Sequence, residues 1–309
     1  MNPQQLSIVF IAERGVLERQ ALALVDSLKI NGKMWSECNL YCYSPRKDNL
    51  PGSYTINRLR KRGVRFVTED LNKNFVDYPF SNKIFACEHA ERSINTEYLL
   101  FLDTDILVLN TFKLFEEFIG DVGICPVEYK KIGTNGQDEN MPYWSHLFKY
   151  FNCEREKSII TSVSNEEIWP YWNAGVILVK RSVGVFKNWC NNFQIMMENR
   201  LIPSEKTFVD QISLAVTLEK YTKLIQLPVS YNYPINENLN MTAPEDSLSS
   251  IVFAHYHKVF PTGQCLFPLT QMGFQENDML KLVKRLLVGS GLYSPTVLNK
   301  LRNYLIFSR

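Results

Sequence analysis

The sequence has no Cys-x-x-Cys pair and no histidine at zinc-finger spacing from a cysteine, which excludes the common structural zinc modules. Its seven cysteines, at 38, 42, 87, 125, 153, 190 and 265, are odd in number. The simple expectation is reduced, mostly buried thiols in a cytoplasmic protein. Long apolar runs are also missing: none approaches the roughly 20 residues that span a bilayer. The start, MNPQQLSIVFIAERG, lacks the basic segment and the apolar length of a signal peptide. A soluble chain, at most peripheral to a membrane, is expected. Charge of one sign is scarce as well. Thirty-four Lys and Arg against 32 Asp and Glu leave +2, too little to argue for a nucleic-acid partner. What is present is ordinary globular composition, 45% hydrophobic and 21% charged over 309 residues. That length suits one large α/β domain with an extension, or two small domains.

The chain is organised around Tyr98 to Asn110, YLLFLDTDILVLN. An apolar run rich in large aliphatics reads as a strand buried on both faces, as in parallel sheets. Asp103 and Asp105 interrupt it, and two carboxylates there are costly unless a cation meets them. On an extended chain they share a side and can grip one metal ion. The plain alternative is that Asp-Thr-Asp starts a turn or caps a helix.

Upstream, strands and helices alternate. Leu6 to Ile11 is β-branched; Leu17 to Ile30 carries Leu17, Ala21, Leu24, Val25 and Leu28 at helical spacing and ends at Asn31-Gly32. Asn39 to Tyr43 and Val64 to Val67 read as strands, Asn57 to Arg62 and Asn82 to Ile94 as helices. The alternation predicts a doubly wound, largely parallel sheet, whose ligands bind beyond the carboxyl ends of the strands. Downstream come a short helix over Phe112 to Ile119 and a strand over Asp121 to Cys125. The segment Glu128 to Pro170 is rich in turns and aromatics, including Tyr143, Trp144, Phe148, Tyr150, Phe151 and Trp169. Such rings suit sugar or base stacking, although core packing is their commoner task. Trp172 to Val179 is an apolar strand entered through Asn173 and Gly175, where glycine permits close backbone approach. Helices follow over Val185 to Asn199 and Lys206 to Leu218, the latter with Asp210 and Gln211 near its first turn. Ile251 to Tyr256 is the last strand and runs into His255-Tyr256-His257-Lys258.

In this order YLLFLDTDILVL, WNAGVILV, FVDQISLA and VFAHYH resemble the nucleotide-sugar glycosyltransferases of the GT-A fold, most of all family eight, the group of glycogenin and the lipopolysaccharide galactosyltransferases. The resemblance covers about residues 6 to 265, a Rossmann-like α/β catalytic domain over 1–265. It implies a divalent cation, Mn²⁺ or Mg²⁺, bound by Asp103, Asp105 and His255 and bridging the diphosphate of a nucleotide-sugar donor. His257 is the competing third ligand. It further implies that Asn173, Asp210 and Gln211 hold the transferred sugar, that Ala12, Glu13 and Arg14 meet the nucleoside, and that Lys83 faces the donor. Lys258 takes the phosphate-binding position, although HYHKVFPTG departs from the family's usual continuation. Transfer to a glycan or lipid-linked acceptor with retention is implied, with Glu166 and Glu167 the candidate bases if the reaction inverts.

Two other readings are open at this level. Asp-x-Asp after an apolar strand also marks haloacid-dehalogenase-type phosphatases, but Leu107 replaces their Thr or Val and no later acidic cluster is found. A non-catalytic carbohydrate-binding protein is the third. Residues 266–309 lie beyond the resemblance. From Gln275 to Arg309 there are six basic residues and two acidic ones, interleaved with Leu282, Val283, Leu286 and Leu287 and with Val297, Leu298, Leu301 and Leu305. Basic amphipathic helices of this kind lie on anionic membranes, or else pack their apolar faces on the catalytic domain.

Overall fold

A computed structural model describes residues 1–153, 158–203, 208–234 and 250–257. The tail and Lys258 lie outside them. The β-branched run becomes β1 (Leu6–Ile11), followed by α1 (Val16–Asn31), β2 (Asn39–Tyr43), α2 (Ser53–Arg60), β3 (Val64–Val67) and α3 (Ser81–Ser93). The Asp-x-Asp stretch divides into β4 (Tyr98–Leu102) and β5 (Ile106–Val108). Then come α4 (Lys113–Glu116), β6 (Val122–Pro126), α5 (Met141–Tyr150), the short pair β7 (Ile159–Ile160) and β8 (Glu167–Ile168), and β9 (Trp172–Lys180). The chain continues through α6 (Val185–Glu198), α7 (Val209–Leu218), β10 (Leu224–Gln226), β11 (Tyr233–Pro234) and β12 (Phe253–His255).

Among the described residues the main sheet has seven strands in the order β10-β6-β9-β4-β1-β2-β3. β1 is parallel to β2 and β4, β2 to β3, and β10 to β6. The sheet is therefore mostly parallel, as expected, except that β9 runs antiparallel to both of its neighbours. An apolar strand buried on both faces reads the same in either direction, so periodicity carries no sign of this reversal. Its consequence is direct. Leu102 at the end of β4 pairs with Val176 in the middle of β9, and Pro126 at the end of β6 pairs with Trp172, the first residue of β9. The ends of two strands and the beginning of a third thus meet at one edge.

Side chains alternate across the sheet into two cores. Val9, Leu99, Phe101 and Ile177 face α3, α6 and α7, with Trp189 and Leu214 fully buried there. Ile8, Leu100, Leu102 and Val176 face α1, Trp35, Phe112 and Phe115. Each such large side chain contributes roughly 1.5–3 kcal/mol by burial. The aromatics of Glu128 to Pro170 follow the packing reading: Trp144, Phe148, Phe151 and Trp169 are buried, and of the six only Tyr150 is exposed.

Two helices differ from expectation. The predicted Phe112 to Ile119 helix contracts to Lys113–Glu116, because Phe112, Phe115 and Phe118 recur every three residues and their backbones form i→i+3 bonds. The helix expected over Asn57 to Arg62 begins earlier, at Ser53. Among the described residues no helix is long and apolar enough to cross a membrane, and the six described cysteines are free, five of them buried.

Candidate active site

The Asp-x-Asp stretch is not one strand. The amide of Asp103 makes the last contact to the main sheet, donating to the Gly175 carbonyl at 2.8 Å. The chain then turns, and β5 enters a second sheet, β11-β12-β5. In it β12 pairs antiparallel with β5, setting His255 opposite Ile106, and the Tyr256 amide donates to the Asp105 carbonyl at 3.0 Å. This pairing brings the late histidine to the early aspartate. His255 Nε2 lies 3.2 Å from Asp105 Oδ1.

Because the chain turns between them, the two aspartates have different partners. Asp103 Oδ2 accepts from Lys83 Nζ at 2.8 Å, and the same nitrogen lies 3.5 Å from Asp210 Oδ2. Lys83 projects from the first turn of α3, the crossover helix into β4, and Asp210 from the first turn of α7. Asp105 instead joins His255 and His257, whose candidate ligand atoms all lie within 4.8 Å of one another. The expected set of Asp103, Asp105 and His255 is thus arranged as Asp105 with both histidines, beside an Asp103–Lys83–Asp210 cluster.

His255 is seated tightly. Its Nδ1 lies 2.9 Å from Asn232 Oδ1, so a proton on Nδ1 is donated to the amide oxygen and Nε2 is left to face Asp105. A Cβ at Gly175 would stand 2.6 Å from His255 Cε1, which is why the fourth residue of β9 is glycine. Asn173 accepts from the Gly175 amide at 2.7 Å and donates to Glu128 Oε1 at 2.9 Å. His257 Nε2 lies 3.5 Å from the same Glu128 oxygen.

The electrostatics follow from burial and these pairings. Burial raises the Asp103 carboxyl above its usual range; Lys83 opposes the rise and Asp105 adds to it. Burial also acts against ionised Asp105, but the adjoining His255, then His257 and Lys83, prevail and hold it low. For His255, burial favours the neutral ring, yet Asp105 and Asp103 outweigh it and raise the imidazole. Lys83 is likewise desolvated and still held charged by Asp103 and Asp210. Burial opposes the Glu128 charge too, but His257 and His255 bring that carboxyl down to about 2.

The remaining expected residues separate. Gln211 is half-buried beside Asp210. Ala12 is buried, its carbonyl accepting from Ser44 Oγ. Glu13 is 1% exposed, and its carboxylate accepts from Arg46, Asn49 and Asn82. Those three donors make Glu13 a brace between the ends of β1, β2 and α3. Arg14 alone of the three is exposed. Glu166 and Glu167 are exposed on the β7–β8 hairpin and accept from Ser164 and Ser158. Sequence reasoning missed Glu128, Asn232 and Tyr78. Glu128 carried a usable signal, a carboxylate just past a buried strand, as Asp103 is; the other two carried none.

A mostly parallel sheet with the beginning of a reversed strand thus gathers a carboxylate–imidazole cluster and a lysine–carboxylate cluster at one edge. Residues 8–222 match the family described as the Rhodobacterales glycosyltransferase domain. The chain belongs to that family, and is an enzyme of the transferase class rather than a phosphatase. Its fold is GT-A, similar to family eight. An active-site mutant of LgtC superposes with a TM-score of 0.55 at 13% identity over 92% of this chain and 95% of that one. The galactosyltransferase LgtC in complex with donor and acceptor sugar analogues gives 0.51 at 14% identity over the same shares. The glycosyltransferase GlyE of Streptococcus pneumoniae TIGR4 gives 0.52 at 13% identity over 96% of this chain and 63% of that one. No curated protein sequence matches.

Proposed function

We propose that this site transfers a sugar from a UDP-sugar to a glycan or lipid-linked acceptor, with retention, using a divalent cation held by Asp105, His255 and His257 beside Asp103. The observation that carries the reading is the convergence of Asp105 and two imidazoles, brought together by the β5–β12 pairing. A carboxylate with two imidazoles suits Mn²⁺ at least as well as Mg²⁺, and Asn232 and Gly175 orient His255 as a ligand. When bound, the cation supplies charge neutralisation for the departing nucleoside diphosphate.

The chain's own residues supply the rest. Lys83 presents a buried positive charge toward the same leaving group, fixed by Asp103 and Asp210. Asp210, Gln211 and Asn173 ring the place where the sugar is held, the carboxylate favouring cationic character at the anomeric carbon. Retention is what the resemblance to family eight implies, with Glu166 and Glu167 exposed on the β7–β8 hairpin as the candidate bases of an inverting alternative. Arg14 is left facing the nucleoside, and Lys258 is assigned the phosphate by its place after the histidines. For residues 266–309, the basic amphipathic pattern favours contact with an anionic membrane, tested by co-sedimentation with anionic vesicles of full-length protein against a chain ending near residue 270.

The deciding experiment is a panel of nucleotide sugars incubated with Mn²⁺ or chelator, with product anomers assigned by NMR. Hydrolysis or transfer that needs the metal and is abolished in Asp105→Ala and His255→Ala is the expected result. Full activity in excess chelator overturns the metal role. A larger loss of Mn²⁺ affinity at His257→Ala than at His255→Ala makes His257 the principal imidazole ligand.

A further inference from the structure

We propose that Tyr78 is a positioning residue for Asp210, a role that rests on the sugar-transfer reading of the site. One hydroxyl makes two bonds to one residue: it donates to Asp210 Oδ1 at 2.7 Å and accepts from the Asp210 amide at 3.1 Å. Backbone and carboxylate are thereby fixed together, and Oδ2 is the oxygen left toward Lys83.

Asp210 needs such a tie. It lies two residues after Phe208, a bulky residue at φ +57°, a backbone region that is costly without glycine. The first turn of α7 also has no side-chain cap of its own, so the tyrosine oxygen takes up an otherwise unpaired helix N–H. Trp189 anchors the next turn, donating from Nε1 to the Asp210 carbonyl and to Ser213. Asp210 is 2% exposed, and its carboxylate sits between one hydroxyl and one ammonium. With the hydroxyl gone, it can rotate toward Lys83 and pull that ammonium from Asp103. Tyr78 is held in turn by stacking on Phe193, with centroids 5.9 Å apart and planes at 24°. Tyr78→Phe keeps that stack and deletes only the oxygen.

The test uses the full-length chain. In Tyr78→Phe, kcat for the donor falls about tenfold or more while KM changes less than about twofold, the pattern of a misaligned group. In an Asp210→Ala background, which has no carboxylate left to position, the same change adds no further loss. Amide hydrogen exchange at Asp210 becomes faster in the variant, whatever the activity. Wild-type kcat in Tyr78→Phe overturns the proposal, as does an equal loss in the Asp210→Ala background. If the wild-type protein turns over no nucleotide sugar, the functional reading fails, and the exchange measurement decides alone whether the hydroxyl holds Asp210: unchanged protection sinks it.

Discussion

At residue 175 the sequence, the fold and the chemistry meet in a single missing methyl group. A Cβ there would lie 2.6 Å from His255 Cε1, 2.9 Å from its Nδ1 and 2.9 Å from Asn173 Oδ1. Gly175→Ala must therefore push the imidazole off Asp105 or the amide off Glu128. Overpacking of this kind costs about 1–3 kcal/mol. The expected outcome is a modest loss in urea denaturation together with a much larger loss of Mn²⁺ affinity by calorimetry. Unchanged affinity would mean that the seat of His255 tolerates the methyl group. Asp103, Asp105, Asn173, Asp210 and His255 were legible because each stands where an apolar run stops or a helix starts, and a polar residue there is conspicuous. Tyr78 and Asn232 were not. Nothing in a tyrosine's neighbours along the chain records a bond to a residue 132 positions away.

Helices here borrow one another's ends. Gly184 has no side chain with which to cap α6, and Glu91 of α3 replaces it, accepting from the Phe186 and Lys187 amides at 3.0 and 2.8 Å. Glu91→Ala leaves both donors bare beneath the α3–α6 contact, and a lost cap costs about 0.5–2 kcal/mol; urea denaturation measures it, and Glu91→Gln recovers part. A loop in the segment after β6 is closed by Asp138, which accepts from Lys130 Nζ, Thr134 Oγ1 and the Asn135 amide. Burial opposes that charge, but the three donors bring the carboxyl from 3.8 to about 2. The folded value lies below the unfolded one, so the contribution is complete above 3.8 and disappears as pH falls toward about 2. The stability gap between wild type and Asp138→Asn should accordingly narrow over that window, and a gap independent of pH would show that the ionised form adds nothing. Most elements were readable from period and punctuation. The short α4 was not, since a three-residue aromatic repeat resembles an amphipathic helix until its hydrogen bonds are seen.

Over the whole molecule, composition and alternation led to the right architecture, and what they left out was direction. β9 is as apolar as a parallel strand, and only its partners show that it runs backward. The second sheet was invisible for a related reason: Ile251 to Tyr256 was readable as a strand, but not its antiparallel pairing with β5, and β11 spans only two residues, too short for any period. Yet that small sheet has a temporal consequence. Asp105 and His255 are 150 positions apart (255 minus 105), and synthesis at about 5–20 residues per second puts on the order of 10 s between them. Among the described residues, every strand of the main sheet is complete by Gln226. A growing chain can thus assemble its body while Asp105 still lacks both imidazoles. A chain stopped at residue 250 is expected to show the circular dichroism of the sheet and no Mn²⁺ binding by calorimetry; strong binding would place the ion elsewhere. On the ribosome, then, a scaffold can precede the proposed cation site, which stays incomplete until His255 and His257 have been made.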